Sequence, residues 1–318
     1  MKKTINISLA GFIAVLLLLS CNNTTQQPAE IQQSDSLNID TVKEMTNTAK
    51  ENINIPQKLY GTDTTITLFY NYDSVDYSVK ILIRFPKDKI TGTILALHGW
   101  NLPYTDWCTK TRLCDSALKK GYIIILPDMG KSSYTFEIYP ETRKDWAIYP
   151  TVTWLIDSAF NYIQKNFKLL LPGQNNYVLG LSTGGRGSAL LALLCPDIFK
   201  ACATLSGDFD QTQLINDPIY NGFYGSYKNF PQRWKDKDNM VIHADEYKIP
   251  LYIGHGLLDN VCPAQQSIMF YDTLKLKNPD LKVVLHIDSS AVHDYNFWNS
   301  EVINMLNFFE SSVNQTKK

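Results

Sequence analysis

Six short apolar runs set the architecture open to this chain: Thr93–Leu97, Tyr122–Leu126, Tyr177–Leu181, Ala201–Leu205, Leu251–Gly254 and Lys282–Ile287. Each is the length of one strand, and longer segments, several of helical periodicity, lie between them. Strands separated in this way by helices pair side by side as a parallel sheet covered on both faces. A sheet buried on both sides needs continuously apolar strands, not alternating ones. Ahead of these runs, Val75, Tyr77, Val79, Ile81, Ile83 and Phe85 recur with period two, the mark of a half-buried strand. Thr62–Tyr70 is expected to pair with it as a leading antiparallel hairpin. Helices are predicted over Asp106–Lys120, Ala147–Phe167 and Asn296–Glu310. The predicted class is therefore α/β: a mostly parallel, doubly wound sheet with a leading antiparallel hairpin and helices on both faces. The stretch 208–247, rich in Tyr, Asn, Asp and Lys, fits neither pattern. It is expected as an excursion over the active site, above the strand ends where ligand-facing loops belong.

The amino terminus reads as an address. Lys2 and Lys3 precede an apolar stretch, Ile5–Leu19, that ends in Leu18-Leu19-Ser20-Cys21. The stretch is short and wrongly flanked for an ordinary membrane span, and its end resembles the bacterial lipobox, in which the cysteine is acylated. Residues 1–21 are thus expected to be a lipoprotein signal peptide, 22–55 a flexible tether rich in Thr, Gln, Asn and Ser, and 56–313 a single catalytic domain. Asn22, in place of an aspartate, favours the outer membrane by the sorting rules of diderm bacteria. The expected location is the bacterial cell envelope, with the membrane touched only through the lipid anchor. Net charge is −1, from 30 Lys and Arg against 31 Asp and Glu, which argues against a nucleic-acid partner. Besides Cys21 there are Cys108, Cys114, Cys195, Cys202 and Cys262. These read as small buried hydrophobes rather than a disulfide framework; on one continuous helix, Cys108 and Cys114 would lie on different faces.

The chemistry-bearing motif is Gly180-Leu181-Ser182-Thr183-Gly184-Gly185. It fits G-x-S-x-G and stands between an apolar run and a small-residue helix, the context that motif requires. The chain must double back tightly there, so the neighbours of the serine cannot carry side chains. A serine nucleophile needs a base, and His293 follows the last strand by a short loop. His98 and His255 are each followed by glycine at a strand end, where backbone geometry explains them better; His243 lies in the excursion and His286 within a strand. The acid that orients the base is expected to be Asp259, just after the fifth run, with Asp208 and Asp210 as rivals. Chain order Ser, Asp, His fits this assignment. The oxyanion hole is expected from the backbone N–H groups of Thr183 and Trp100. No histidine pair at i, i+4 and no zinc-type cysteine spacing occurs, so no metal and no cofactor is expected.

Taken with Leu97-His98-Gly99, Pro196-Asp197-Ile198-Phe199, Leu205-Ser206-Gly207 and His293-Asp294 with Phe297-Trp298, these motifs make the chain resemble the α/β-hydrolase fold. Within it the likeness is to the esterase D-like and feruloyl esterase-like family, and it spans about Tyr60 to Phe309. That family includes S-formylglutathione hydrolases, acetylxylan esterases and mycolyltransferases. The chain departs from the pattern at Thr183, where the family often has Met, at Val292, where it often has Gly, and at Trp100-Asn101-Leu102-Pro103, where further glycines are common. The resemblance implies a serine carboxylic-ester hydrolase acting through an acyl-enzyme, with Ser182 as nucleophile, His293 as base and Asp259 as acid. Its expected substrate is an extracytoplasmic acyl ester such as acylated carbohydrate. A peptidase or acyltransferase of the same fold is the alternative, and a non-catalytic surface binding lipoprotein the alternative of another class.

Overall fold

The computed structural model describes residues 53, 55–147 and 149–313. The chain separates into two units, Met1–Thr48 and Ala49–Lys318, and everything described below belongs to the second. The expected signal segment, Cys21 and nearly all of the expected tether lie outside the described residues. Ile55, at the end of that tether, is buried in the core.

Eight strands form one sheet in the order β1-β2-β4-β3-β5-β6-β7-β8. They are β1 Asp63–Tyr72, β2 Val75–Arg84, β3 Gly92–Leu97, β4 Tyr122–Pro127, β5 Asn176–Leu181, β6 Ala201–Leu205, β7 Leu251–Gly256 and β8 Val283–Asp288. The first two make the expected hairpin, closed by Asp73 and Ser74, both at positive φ. This is the turn geometry whose twist matches the flanking strands. β2 pairs antiparallel with β4, and every later pairing is parallel. Strands β3 to β7 are buried along their whole length, as their continuous apolar runs demand. β1 and β8 are the edges and stay half open.

Among the described residues the helices are α1 Asp106–Thr109, α2 Leu113–Lys119, α3 from Thr151–Trp154 through the π-helical Leu155–Phe160 to Asn161–Phe167, α4 Thr183–Leu194, α5 Pro218–Tyr224, α6 Gln265–Lys277 and α7 Tyr295–Val313. Core side chains of α3, α4 and α6 pack on one face. Trp107, Leu113 and Ala117 of α1 and α2 join Val302, Met305 and Phe309 of α7 on the other.

The single helix expected over Asp106–Lys120 is instead two. The chain breaks between Thr109 and Leu113, where the Thr111 hydroxyl turns back to Trp107 O and accepts from Leu113 N–H. That break brings Cys108 and Cys114 to a Cα separation of 4.9 Å, and they form a disulfide. The reading of both as unpaired hydrophobes assumed a continuous helix and is corrected here. Closing so short a loop limits the unfolded chain by about 2 kcal/mol. Cys195, Cys202 and Cys262 are free and buried.

The excursion 208–247 packs on its own aromatic cluster, Tyr220, Phe223, Tyr224 and Trp234, and is pinned to α4 by Arg186. That guanidinium is fully buried and donates to Tyr224 Oη (3.0 Å), Asp238 O (2.7 Å) and Gln211 Oε1 (3.3 Å). The carboxylates of Asp208 (3.7 Å) and Asp238 (4.0 Å) balance it. A buried charge is tolerated only with such partners, so the excursion and the helix behind Ser182 hold each other in place.

Candidate active site

β5 ends at Leu181 and α4 begins at Thr183, so the turn between them is Ser182 alone. Its backbone lies at φ 55°, ψ −128°, a strained conformation costing on the order of 1–3 kcal/mol. The surroundings enforce it: Ser182 N–H donates to Leu205 O (2.9 Å) and Arg186 N–H to Ser182 O (3.1 Å). A Cβ on Gly180 would stand 1.9 Å from Gly184 O, and one on Gly184 would stand 2.4 Å from His98 O. Both contacts are with backbone, which cannot swing aside. The glycines therefore let the strand, the turn and the loop after β3 close on one point, with the serine hydroxyl projecting above the sheet.

Two loops deliver its partners. Asp259 follows β7, and His293 lies between β8 and α7. The loops are stapled together by Leu257 N–H to Asp288 O (2.8 Å) and Leu258 N–H to Ala291 O (3.0 Å). His293 Nε2 accepts from Ser182 Oγ (2.9 Å), and His293 Nδ1–H donates to Asp259 Oδ2 (2.6 Å). These distances suit transfer of the Ser182 proton to His293, with Asp259 orienting the ring through its Nδ1–H. Burial alone would raise the Asp259 carboxyl. Donation from His255 and His293 and from Cys262 N–H outweighs it and holds the group well below the usual carboxylate range. Asp259 is thus a fixed negative charge under the imidazole.

The rival carboxylates are otherwise engaged. Asp210 accepts from Thr212 N–H (2.9 Å) and Asn239 Nδ2 (2.7 Å). Asp208 accepts from the Tyr220 hydroxyl and neighbours Arg186. Burial pushes its carboxyl up, against the pull of both partners.

The loop after β3 is braced from beneath by His98. Its Nδ1–H donates to Gly99 O (2.7 Å), its Nε2 accepts from Met129 N–H (2.8 Å), and Tyr134 Oη donates to His98 O (2.9 Å). Burial keeps this imidazole below its ordinary pKa, hence neutral and structural. A Cβ on Gly99 would lie 3.0 Å from Ser182 Cβ, so Trp100 stands beside Ser182. Neither Trp100 N–H nor Thr183 N–H meets an acceptor among the described residues, and both residues line the cavity that holds Ser182 and His293.

That cavity measures about 440 Å³, within the usual range for a ligand site. Leu102, Ile219 and Val261 supply apolar wall, and Asp208 and Asp217 supply carboxylates. Two aromatic residues that sequence reasoning gave no role also line it. Trp298 sets its ring edge-on to His293 at 5.1 Å and donates to Ser206 Oγ (3.1 Å). Tyr295 donates to Asp106 Oδ2 (2.8 Å), tying the cavity to the disulfide-bearing helix pair. Tyr295 opens α7 two residues after His293 and Trp298 follows about one turn on; that proximity was the available signal. A larger open cleft of about 700 Å³ lies near the starts of β3 and β4, lined by Lys87, Lys89 and Lys119 and by no serine, cysteine or histidine. No cluster of three or more His, Cys, Asp or Glu placed to hold a metal ion occurs among the described residues.

The model of the prolyl oligopeptidase family, Peptidase S9, matches residues 115–316. An acetyl esterase of Caldicellulosiruptor saccharolyticus is 23% identical over 269 residues, 79% of this chain and 94% of that relative. The structure is similar to FphF, a fluorophosphonate-binding serine hydrolase of Staphylococcus aureus, with 20% identity, TM-score 0.61, and coverage of 78% of this chain and 99% of that one. It is also similar to the acylaminoacyl peptidase of Pyrococcus horikoshii, with 16% identity, TM-score 0.55, and coverage of 78% of this chain but 41% of that one. With its parallel sheet, its serine at the strand-to-helix turn and the family match over most of its length, the chain belongs to the prolyl oligopeptidase family and is a serine hydrolase of the α/β-hydrolase fold.

Proposed function

We propose that this chain hydrolyses carboxylic esters through an acyl-enzyme on Ser182. The reading rests on one observation: Ser182 Oγ meets His293 Nε2 at 2.9 Å and His293 Nδ1 meets Asp259 Oδ2 at 2.6 Å, with Ser182 and His293 on the wall of an open cavity. His293 takes the hydroxyl proton as Ser182 attacks the ester carbon. Asp259 holds the ring in the Nδ1–H tautomer and stabilises the imidazolium. The N–H groups of Thr183 and Trp100 receive the oxyanion. His293 then returns the proton to the departing alcohol, and a water activated by the same imidazole releases the acid.

The substrate is an extracytoplasmic acyl ester, with acylated carbohydrate as the favoured class. The half-buried rings of Trp100 and Tyr295 beside the cavity offer flat faces for sugar rings, and the wall carboxylates offer acceptors for hydroxyl groups. The enzyme is anchored through acylated Cys21 in a bacterial cell envelope, at the outer membrane. The Cys108–Cys114 disulfide supports an oxidising compartment. Replacing Cys21 by Ser is expected to move the protein from the membrane to the soluble fraction; retention in the membrane would refute the anchor.

The family match supports a second reading, a peptidase. The two separate on rates. The full chain in detergent is expected to cleave p-nitrophenyl acetate and acetylated xylo-oligosaccharide while leaving peptide p-nitroanilides nearly untouched. Amide turnover rivalling ester turnover would favour the peptidase.

A further inference from the structure

His255 is read in the sequence as a strand-end histidine held for backbone reasons, yet its ring meets Asp259. It is fully buried at the end of β7. Its Nε2 lies 2.9 Å from Cys262 O and 3.2 Å from Asp259 Oδ2. Both are acceptors, so Nε2 carries the proton and shares it between them. Nδ1, 2.7 Å from Ser267 Oγ of α6, accepts the serine proton, which locks that tautomer. Asp259 Oδ1 meanwhile accepts from Val261 N–H (2.9 Å) and Cys262 N–H (2.8 Å). The carboxylate therefore has four donors, and Oδ2 serves two imidazoles at once.

We propose that His255 is a positioning residue for ester hydrolysis, a second imidazole that aims Asp259 Oδ2 at His293 and takes up part of its negative charge. The proposal rests on the Ser182–His293–Asp259 reading above. A carboxylate whose charge is divided between two N–H donors holds the His293 imidazolium less tightly than one serving His293 alone. His293 then gives up its proton more readily and stays competent as a base at lower pH.

The other groups facing the pair do not supply this effect. Asp208 and Asp294 border His293 from the cavity side, but each already accepts hydrogen bonds of its own. Tyr295 donates its proton to Asp106, and Asp217 caps α5. The Cys262 thiol beside His255 is pushed up by burial and stays protonated. Among these groups only His255 joins His293 in contacting Oδ2.

The test is the pH profile of kcat/KM for p-nitrophenyl acetate, measured on the full chain between pH 5 and 9. His255→Phe removes the donor. It is expected to move the acid limb to higher pH by about 0.5–1 unit. His255→Gln, whose Nε2 replaces the donor atom, is expected to bring the limb back to the wild-type position. Ser267→Ala frees the tautomer and is expected to move the limb in the same direction by a smaller amount. A lowered plateau with an unmoved limb in His255→Phe would leave His255 a packing residue and overturn the proposal, as would a shift in His255→Gln as large as that in His255→Phe. If His255→Phe does not fold, Ser267→Ala decides, and an unmoved limb there overturns it. Activity surviving in Ser182→Ala would instead overturn the reading of Ser182 itself. The two failures are thus distinguishable.

Discussion

Ser182→Ala is expected to lower kcat by roughly 10⁵–10⁶ while leaving the protein folded. In a serine hydrolase of this kind the nucleophile carries most of the acceleration, and binding with the oxyanion donors sustains only a residual ~10³–10⁴ over water. The substitution removes one oxygen whose hydrogen-bond partner is His293. The strained backbone at φ 55° is held by main-chain contacts to Leu205 and Arg186, and alanine keeps these. Thermal midpoints should therefore agree closely, and a fluorophosphonate should label the wild type alone. Retained turnover in a protein that no longer reacts with the probe would sink the acyl-enzyme mechanism. The same loss accompanied by unfolding would show that the hydroxyl carries structure instead.

What the sequence disclosed and what it hid divide along physical lines. The strands were legible because both faces of a central strand demand apolar residues, and Ile123, Ile124 and Ile125 leave no other reading. The turn at Ser182 was legible because glycines at 180 and 184 are forced by backbone contact within a few residues. The break after Thr109 was not. Lys110-Thr111-Arg112 is acceptable in a helix, and the fold of that pair depends on Trp107 Nε1–H reaching Leu97 O (2.9 Å) and on the disulfide. The π-helical turn at Leu155–Phe160 leaves no trace in local propensity either.

The site divides in the same way. Chain order favoured Asp259 over Asp208 without a physical reason. The reason is that Asp208 is committed to Tyr220 and Arg186, three segments of chain that only the fold brings together. His255 was passed over because a buried histidine beside glycine looks the same in sequence whether it braces a turn, as His98 does, or touches a carboxylate. Peptidase and esterase readings separate no better in sequence, since both need the same three side chains. The difference lies in the loops that shape the cavity.

Asp259→Asn is expected to lower kcat by about 10⁴, the loss seen when a triad carboxylate becomes an amide. The geometry supplies the cause. Oδ1 is held by Val261 N–H and Cys262 N–H, and Oδ2 by His293 and His255. An asparagine has one acceptor atom to replace two. If its oxygen satisfies the backbone pair, its NH₂ faces His293 Nδ1. The imidazole must then accept there and carry its proton on Nε2, where it can no longer receive the Ser182 proton. A second signature lies in stability. The Asp259 carboxyl is depressed in the folded protein, so its charge stabilises the fold above the unfolded-chain value of ~3.9. That contribution declines as pH falls through the folded value. The wild type should therefore exceed Asp259→Asn in denaturant midpoint at pH 7, and the gap should narrow below about pH 4. A loss in kcat below tenfold would move the role of the acid to Asp208, on the cavity wall, or to Asp210. A gap that widens toward acid would mean that Asp259 is not the depressed group its four donors make it.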